Sequence, residues 1–140
     1  IMEKEVSKAA FSLCAYKFVK VEMNLDSIDP NSKYSIKIIP SGIFTPDSGI
    51  YQLSFTFKAK VDEKEIVNIV CTADYQFNTP MDVNDIPEYF YANSIAIIFP
   101  YVRAFVSTVT LQANVIPMLI PTQNLSNLSG ELKANTSVKK

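Results

Sequence analysis

The chain has 140 residues, with 13 basic and 14 acidic side chains, a net charge of −1 and no histidine. That length suits one domain, spanning 1–140, and the balanced, scattered charge offers nucleic acid no basic field. Without an imidazole the commonest general base, proton shuttle and metal ligand are missing together.

Ile1 to Lys8 is polar where a secretory signal would need an apolar core, so a cytoplasmic location is expected. Residues 1–15 are expected to be poorly ordered or accessory, and Ala9–Tyr16 fits either a short helix or an extension of the first strand. Val19, Val21, Met23 and Leu25 mark that strand, with Asp26–Lys33 as a crossing loop. Tyr34, Ile36 and Ile38 mark a second strand, closed by Pro40-Ser41-Gly42 and Thr45-Pro46-Asp47-Ser48-Gly49. From Ile50 to Val61, six apolar residues (Tyr51, Leu53, Phe55, Phe57, Ala59, Val61) alternate with five polar ones. This period of two is a strong strand signal. After a polar turn, Asp62-Glu63-Lys64-Glu65, the alternation resumes from Val67 to Phe77, which predicts an antiparallel hairpin whose turn lacks the usual glycine.

The period then changes. Asn84-Asp85 supplies a cap before Ile86-Pro87-Glu88, with proline near the first turn and acids at the positive end of the dipole. A long helix follows to about Asn114, kinked at Pro100, which removes one backbone hydrogen bond. Ile116-Pro117-Met118-Leu119-Ile120-Pro121 cannot continue it and reads as an extended apolar linker. Leu125, Leu128 and Leu132 give a short amphipathic helix, and Ala134–Lys140 is expected to fray. The fold class is α+β: a four-stranded antiparallel sheet, a long kinked helix and a short C-terminal helix.

Between Tyr89 and Gly130 lie 42 residues whose only charge is Arg103. So long an uncharged stretch points to a helix buried on more than one side, and hence to a partner subunit. Pro100, Asn93, Ser94, Asn114, Pro117 and Pro121 interrupt it, so membrane insertion is not expected. The oligomer interface is assigned to Ile97, Phe99, Tyr101, Arg103 and Phe105. Arg103, alone among apolar neighbours, must be paired or reach solvent; bonding within an interface is favoured over contact with a bound chain. Cys14 and Cys71 lack Cys-x-x-Cys spacing and read as buried free thiols, which suits a reducing compartment.

Chemistry is poorly provided for. The three glycines form no phosphate loop, no Gly-x-Ser-x-Gly elbow occurs, and Asp82, Asp85 and Glu88 read as helix-start charges rather than paired catalytic carboxylates. No enzyme, cofactor or metal is expected.

Four strands, a long helix carrying Phe99-Pro100-Tyr101-Val102-Arg103, then Leu119-Ile120-Pro121 and a short final helix resemble the SecB export-chaperone family over about residues 16–130. That family has a Phe-Pro-Tyr-Ala-Arg-type run in its long helix and a Leu-x-Pro…Asn-Phe-type run beyond it. Asn124-Leu125 stands here at the second, one residue further from Pro121. The resemblance implies a dimer of dimers with its long helices between sheets. It also implies apolar grooves that hold unfolded or nascent polypeptide without hydrolysing ATP. Tyr34, Phe44, Met118, Ile120, Leu125 and Leu128 fall in the regions resembling the groove walls; Met118 suits either promiscuous contact or core filling. Secretory members dock the ATPase SecA through carboxylates on the exposed sheet face. Here Lys20, Glu22, Asn68, Thr72 and Asp74 are a sparse, mixed set, so coupling to SecA is expected to be weak or absent. A dedicated chaperone of a toxin–antitoxin system, or a structural interaction module without general client binding, are the alternatives.

Overall fold

The computed structural model describes residues 10–29, 31–120 and 125–139. Residues 1–9, Pro121 and Asn124, which figure in the sequence reading, lie outside the described residues. Among the described residues there are five strands, β1 (Phe11–Met23), β2 (Ser35–Thr45), β3 (Ile50–Val61), β4 (Lys64–Phe77) and β5 (Thr136–Val138), together with helices α1 (Glu88–Gln112) and α2 (Leu128–Ala134). They form one mixed sheet in the order β1-β4-β3-β2-β5. Its first four members are antiparallel, whereas β5 runs parallel to β2.

The expected four-stranded sheet is therefore extended by a fifth strand, drawn from the tail expected to fray. Its order comes from specific bonds: the Gly42 N–H donates to Asn135 O at 3.2 Å, and the Lys139 N–H to Phe44 O at 2.8 Å. Asn135 Nδ2 adds a third bond, to Pro40 O at 3.0 Å. At the other end of the chain, the alternatives for Ala9–Tyr16 resolve in favour of strand from Phe11 onward. Leu25 leaves that strand and opens a 3-10 turn, Leu25–Ser27.

The hairpin is as expected, with Tyr51, Leu53, Phe55, Phe57 and Ala59 facing inward from β3 and Val67 to Phe77 alternating likewise on β4. Its two-residue turn solves the missing-glycine problem by strain. Asp62 and Glu63 both adopt positive φ, 49° and 66°, the mirror-image turn that matches strand twist. For a non-glycine residue that conformation costs about 1–2 kcal/mol.

α1 covers the inner face of the sheet. Phe90, Ile95, Ile98, Phe99, Val102 and Val106 are buried. Phe90 meets Tyr51 at 4.7 Å and Phe77 at 4.8 Å between ring centroids, and Phe99 lies 6.1 Å from Phe55. Each large side chain so buried contributes roughly 1.5–3 kcal/mol, which offsets the hydrogen bond lost where α1 continues through Pro100. The expected cap is used differently. Asp82 and Asp85 form a capping box around the 3-10 turn Val83–Asp85, and α1 begins after Pro87 without a side-chain cap. At its far end Asn114 takes φ 62°, and the N–H groups of Asn114 and Val115 return to Leu111 O and Thr110 O, a Schellman closure.

By length and composition alone α1 would also pass as a membrane span. Its sheet-facing aromatic contacts are those of a core helix.

Candidate functional site

Three apolar surfaces stand out, the first two built mainly from the half of the chain that is nearly free of charge. The first is the face of α1 turned away from the sheet. Ile97 and Tyr101 are 38% and 42% exposed, and Leu111 is 67% exposed. Asn93, Ala96, Pro100, Ala104 and Thr108 are exposed on the same side. With spacings of three and four, these residues share one helical face. At the sheet edge the stripe runs into β1, where Tyr16 lies 4.6 Å from Tyr101 and Phe18 stacks on Phe105 at 4.0 Å and 15°. Arg103 is partly buried, with its guanidinium 5.8 Å from the Phe99 ring centroid.

The second surface is the linker after α1, which is tied back along the helix. Thr110 Oγ1 accepts from the Met118 N–H at 3.0 Å, and the Ser107 hydroxyl donates to Met118 O at 3.2 Å. This tethering makes the linker alternate, with Met118 and Ile120 buried, Leu119 78% exposed and Ile116 56% exposed. Leu119 and Ile120 join Pro100, Arg103, Ala104 and Ser107 around a shallow depression of about 440 Å³.

The third surface lies around the crossing segment and α2. Tyr34, Leu125 and Leu128 are partly buried and pack against the rim of the core, as do Ile28, Ile36 and Ile38. The Tyr34 hydroxyl donates to Asp29 O at 2.9 Å, which fixes the ring against its own loop. α2 sits between α1 and β2. It is anchored by fully buried Leu132 and by an ion pair from Lys133 to Glu88 that raises the lysine pKa.

Of the six residues assigned to groove walls, Tyr34, Leu125 and Leu128 are thus placed at the surface. Phe44, Met118 and Ile120 are not, being 0%, 3% and 4% exposed. Phe44 packs on Phe77 and Tyr51, and the two linker residues face inward because Thr110 and Ser107 set their phase. Their part is in the core. Among the five interface residues, Ile97 and Tyr101 are exposed, Arg103 and Phe105 partly so, and Phe99 belongs to the intramolecular core. Sequence reasoning missed Leu119, Ile116 and Tyr16. The alternation of the linker was the available signal for the first two.

Cys71 is buried, and burial pushes its thiol up to about 11. Cys14, expected to be buried, is exposed on the edge strand. Among the described residues no group of His, Cys, Asp and Glu is placed to hold a metal ion.

No family model matches the chain. An uncharacterized protein, MJ0357 of Methanocaldococcus jannaschii, is 35% identical over 51 residues, covering 36% of this chain and 33% of that one. The chain therefore matches about a third of that relative's length. Among solved structures, the chain is similar to the Mycobacterium tuberculosis Rv1957 SecB-like chaperone in complex with a ChAD peptide from the Rv1956 HigA1 antitoxin. The TM-score is 0.63 with 10% identity, covering 82% of this chain and 88% of that one. The fold is SecB-like. A Streptococcus agalactiae protein of unknown function also aligns, at a TM-score of 0.39 and 10% identity over 80% of this chain and 97% of that one, too low to carry an argument. Within the SecB-like fold, the run Phe99–Arg103 lies mid-way along α1. It contributes two residues to the core (Phe99, Val102) and three to the outer stripe and its margins (Pro100, Tyr101, Arg103).

Proposed function

We propose that this protein is an ATP-independent polypeptide-binding chaperone that serves a dedicated client, such as the antitoxin of a toxin–antitoxin pair. The observation that carries this reading is a SecB-like fold in which α1 and the linker, with a single charge from Tyr89 onward, leave Tyr89, Ile97, Tyr101, Leu111, Ile116 and Leu119 exposed. Contiguous apolar patches on a small protein mark interaction sites. The α1 stripe suits self-assembly, with a tetramer as the favoured form, and the linker and α2 side then remain for clients. A SecB-like neighbour bound to an antitoxin peptide supports a client that is itself a polypeptide.

A role in general export draws less support. The exposed carboxylates of the sheet are already engaged: Glu22 lies 3.7 Å from Lys20, Glu65 lies 3.5 Å from Lys58, and Asp74 accepts from Gln52 at 3.1 Å. Lys17, Lys37 and Lys60 add positive charge to the same face, the wrong sign for an acidic docking patch.

Suppression of aggregation of a chemically denatured model protein, without nucleotide, tests the chaperone reading. Suppression near one client per oligomer is expected. Unchanged aggregation at a tenfold excess would leave the structural-module alternative.

A further inference from the structure

Arg103 is the only arginine of the chain, and between Glu88 and Glu131 it is the only charge. It is partly buried at the margin of the exposed α1 stripe, with its guanidinium over the Phe99 ring at 5.8 Å. Among the described residues it has no carboxylate partner. Pro100, Ala104, Leu119 and Ile120 beside it are apolar, and the Ser107 hydroxyl in the same depression donates to Met118 O instead.

A second polar group on this face is also left open. A helical N–H bonds to the carbonyl four residues back. Pro100 has no N–H, so the Ala96 carbonyl, which points along the axis toward it, loses its usual donor. Ala96 and Pro100 are both exposed, so that oxygen opens onto the outer stripe. A spare donor and a spare acceptor thus share one helix edge, two turns or about 10.5 Å apart along the axis. In a lone protomer water serves both. Burying the stripe against another copy removes that water, and either group left unpaired then opposes association.

No α1 face brings a carboxylate to Arg103, because none occurs from Tyr89 to Gly130 and Glu88 is paired with Lys133. We propose that, where α1 packs on α1, the guanidinium of each Arg103 donates to the Ala96 carbonyl of the other copy, across a twofold axis close to Pro100. An antiparallel crossing is required. Residues equidistant from the axis then face one another, and one operation makes both bonds. A parallel crossing would set Arg103 against Arg103, and like charges repel. Ala96, Pro100 and Ala104 are compact, which lets the backbones approach closely enough for a side chain to reach a main-chain oxygen. Pro100 accordingly supplies the acceptor as well as interrupting the helical bonding. This inference rests on the self-assembly reading above and names the bond that orients it.

A double-mutant cycle on the full chain tests it, with the self-association constant measured by analytical ultracentrifugation over a dilution series. Arg103→Met removes the donor. Pro100→Ala restores an N–H that closes the Ala96 carbonyl within its own helix. Each removes both symmetry-related bonds and should weaken association about a hundredfold, at about tenfold for each bond to a charged group. Pro100→Ala should at the same time raise the urea midpoint of the protomer, so the two readouts move in opposite directions. The double variant should be no weaker than either single one. In parallel, the single arginine Nε–H signal is followed by NMR in dilute and concentrated samples. Its exchange with solvent should slow about tenfold on association in the unaltered chain, and not in Pro100→Ala. Additive losses in the cycle, or an Nε–H that exchanges equally fast while the chain associates, overturn the inference and leave self-assembly intact. An unaltered chain that stays monomeric at high micromolar concentration overturns both. Should Arg103→Met not fold, the exchange measurement decides.

Discussion

Two glycine-to-alanine changes, identical in chemistry, should have opposite effects on stability. A Cβ at Gly42 would lie 2.6 Å from Cε1 of Tyr51 and closer still to its Cζ and Oη. The ring cannot simply swing aside. It is fully buried, packs on Phe90 at 4.7 Å, and its hydroxyl donates to Thr136 Oγ1 at 2.5 Å, which donates in turn to Leu132 O at 2.7 Å. Overpacking of this kind costs about 1–3 kcal/mol. Breaking the Tyr51–Thr136 bond, which ties β5 to the core, adds about 1 kcal/mol. Gly42→Ala should therefore destabilise by about 2–4 kcal/mol, a fall in Tm of roughly 10 °C for a domain of this size. At Gly130, inside α2, an added Cβ meets nothing within 4 Å, and alanine should stabilise by about 0.5–1 kcal/mol through helix propensity. Urea unfolding of both variants against the unaltered chain measures the contrast. Equal midpoints for Gly42→Ala and the parent would refute the packing of Tyr51 over Gly42, and with it the account of how β5 is held.

Ile97→Asp places a charge in the middle of the exposed α1 stripe and should dissociate the proposed oligomer without unfolding the protomer; light scattering that shows no loss of mass would remove α1 from the interface. Stability should fall as pH rises above about 9. Burial holds the Cys71 thiol at about 11 against 9.0 unperturbed, and raises the Tyr51 and Tyr75 phenols above 10.0. The folded chain thus keeps protons that the unfolded chain releases, and unfolding becomes easier with each step in pH; equal urea midpoints at pH 8 and pH 10 would contradict this. Calorimetric titration with the zinc-bearing tail of SecA should give no salt-sensitive binding, since isolated exposed pairs contribute only about 0–1 kcal/mol; low-micromolar affinity that weakens with salt would restore the export role.

The elements legible in the sequence are those whose burial is periodic. β3 and β4 alternate because one face meets α1, and α1 is marked by its length and by Asn114 at its close. β5 was hidden because three residues, Thr136–Val138, have no period to read, and their order comes from Gly42, Phe44 and Asn135 elsewhere in the fold. The surface was the harder part. Phe44, Met118 and Ile120 look identical in sequence to groove residues, since apolarity does not say which side of a segment faces inward. For the linker that choice is made by the Thr110 and Ser107 hydroxyls, which bond Met118 across the end of α1. The outer stripe of α1 was visible as apolarity around the whole helix, but its division into a core face and an exposed face depends on where the sheet lies.

The central claim is that the exposed apolar surface recognises unfolded polypeptide. Isothermal titration of the full chain with reduced carboxymethylated α-lactalbumin, and separately with native α-lactalbumin, without nucleotide, tests it most directly. The account predicts micromolar or tighter binding of the unfolded form alone, with a negative heat-capacity change from burial of apolar surface. Absence of heat with the unfolded form, or equal binding of the native form, would contradict it.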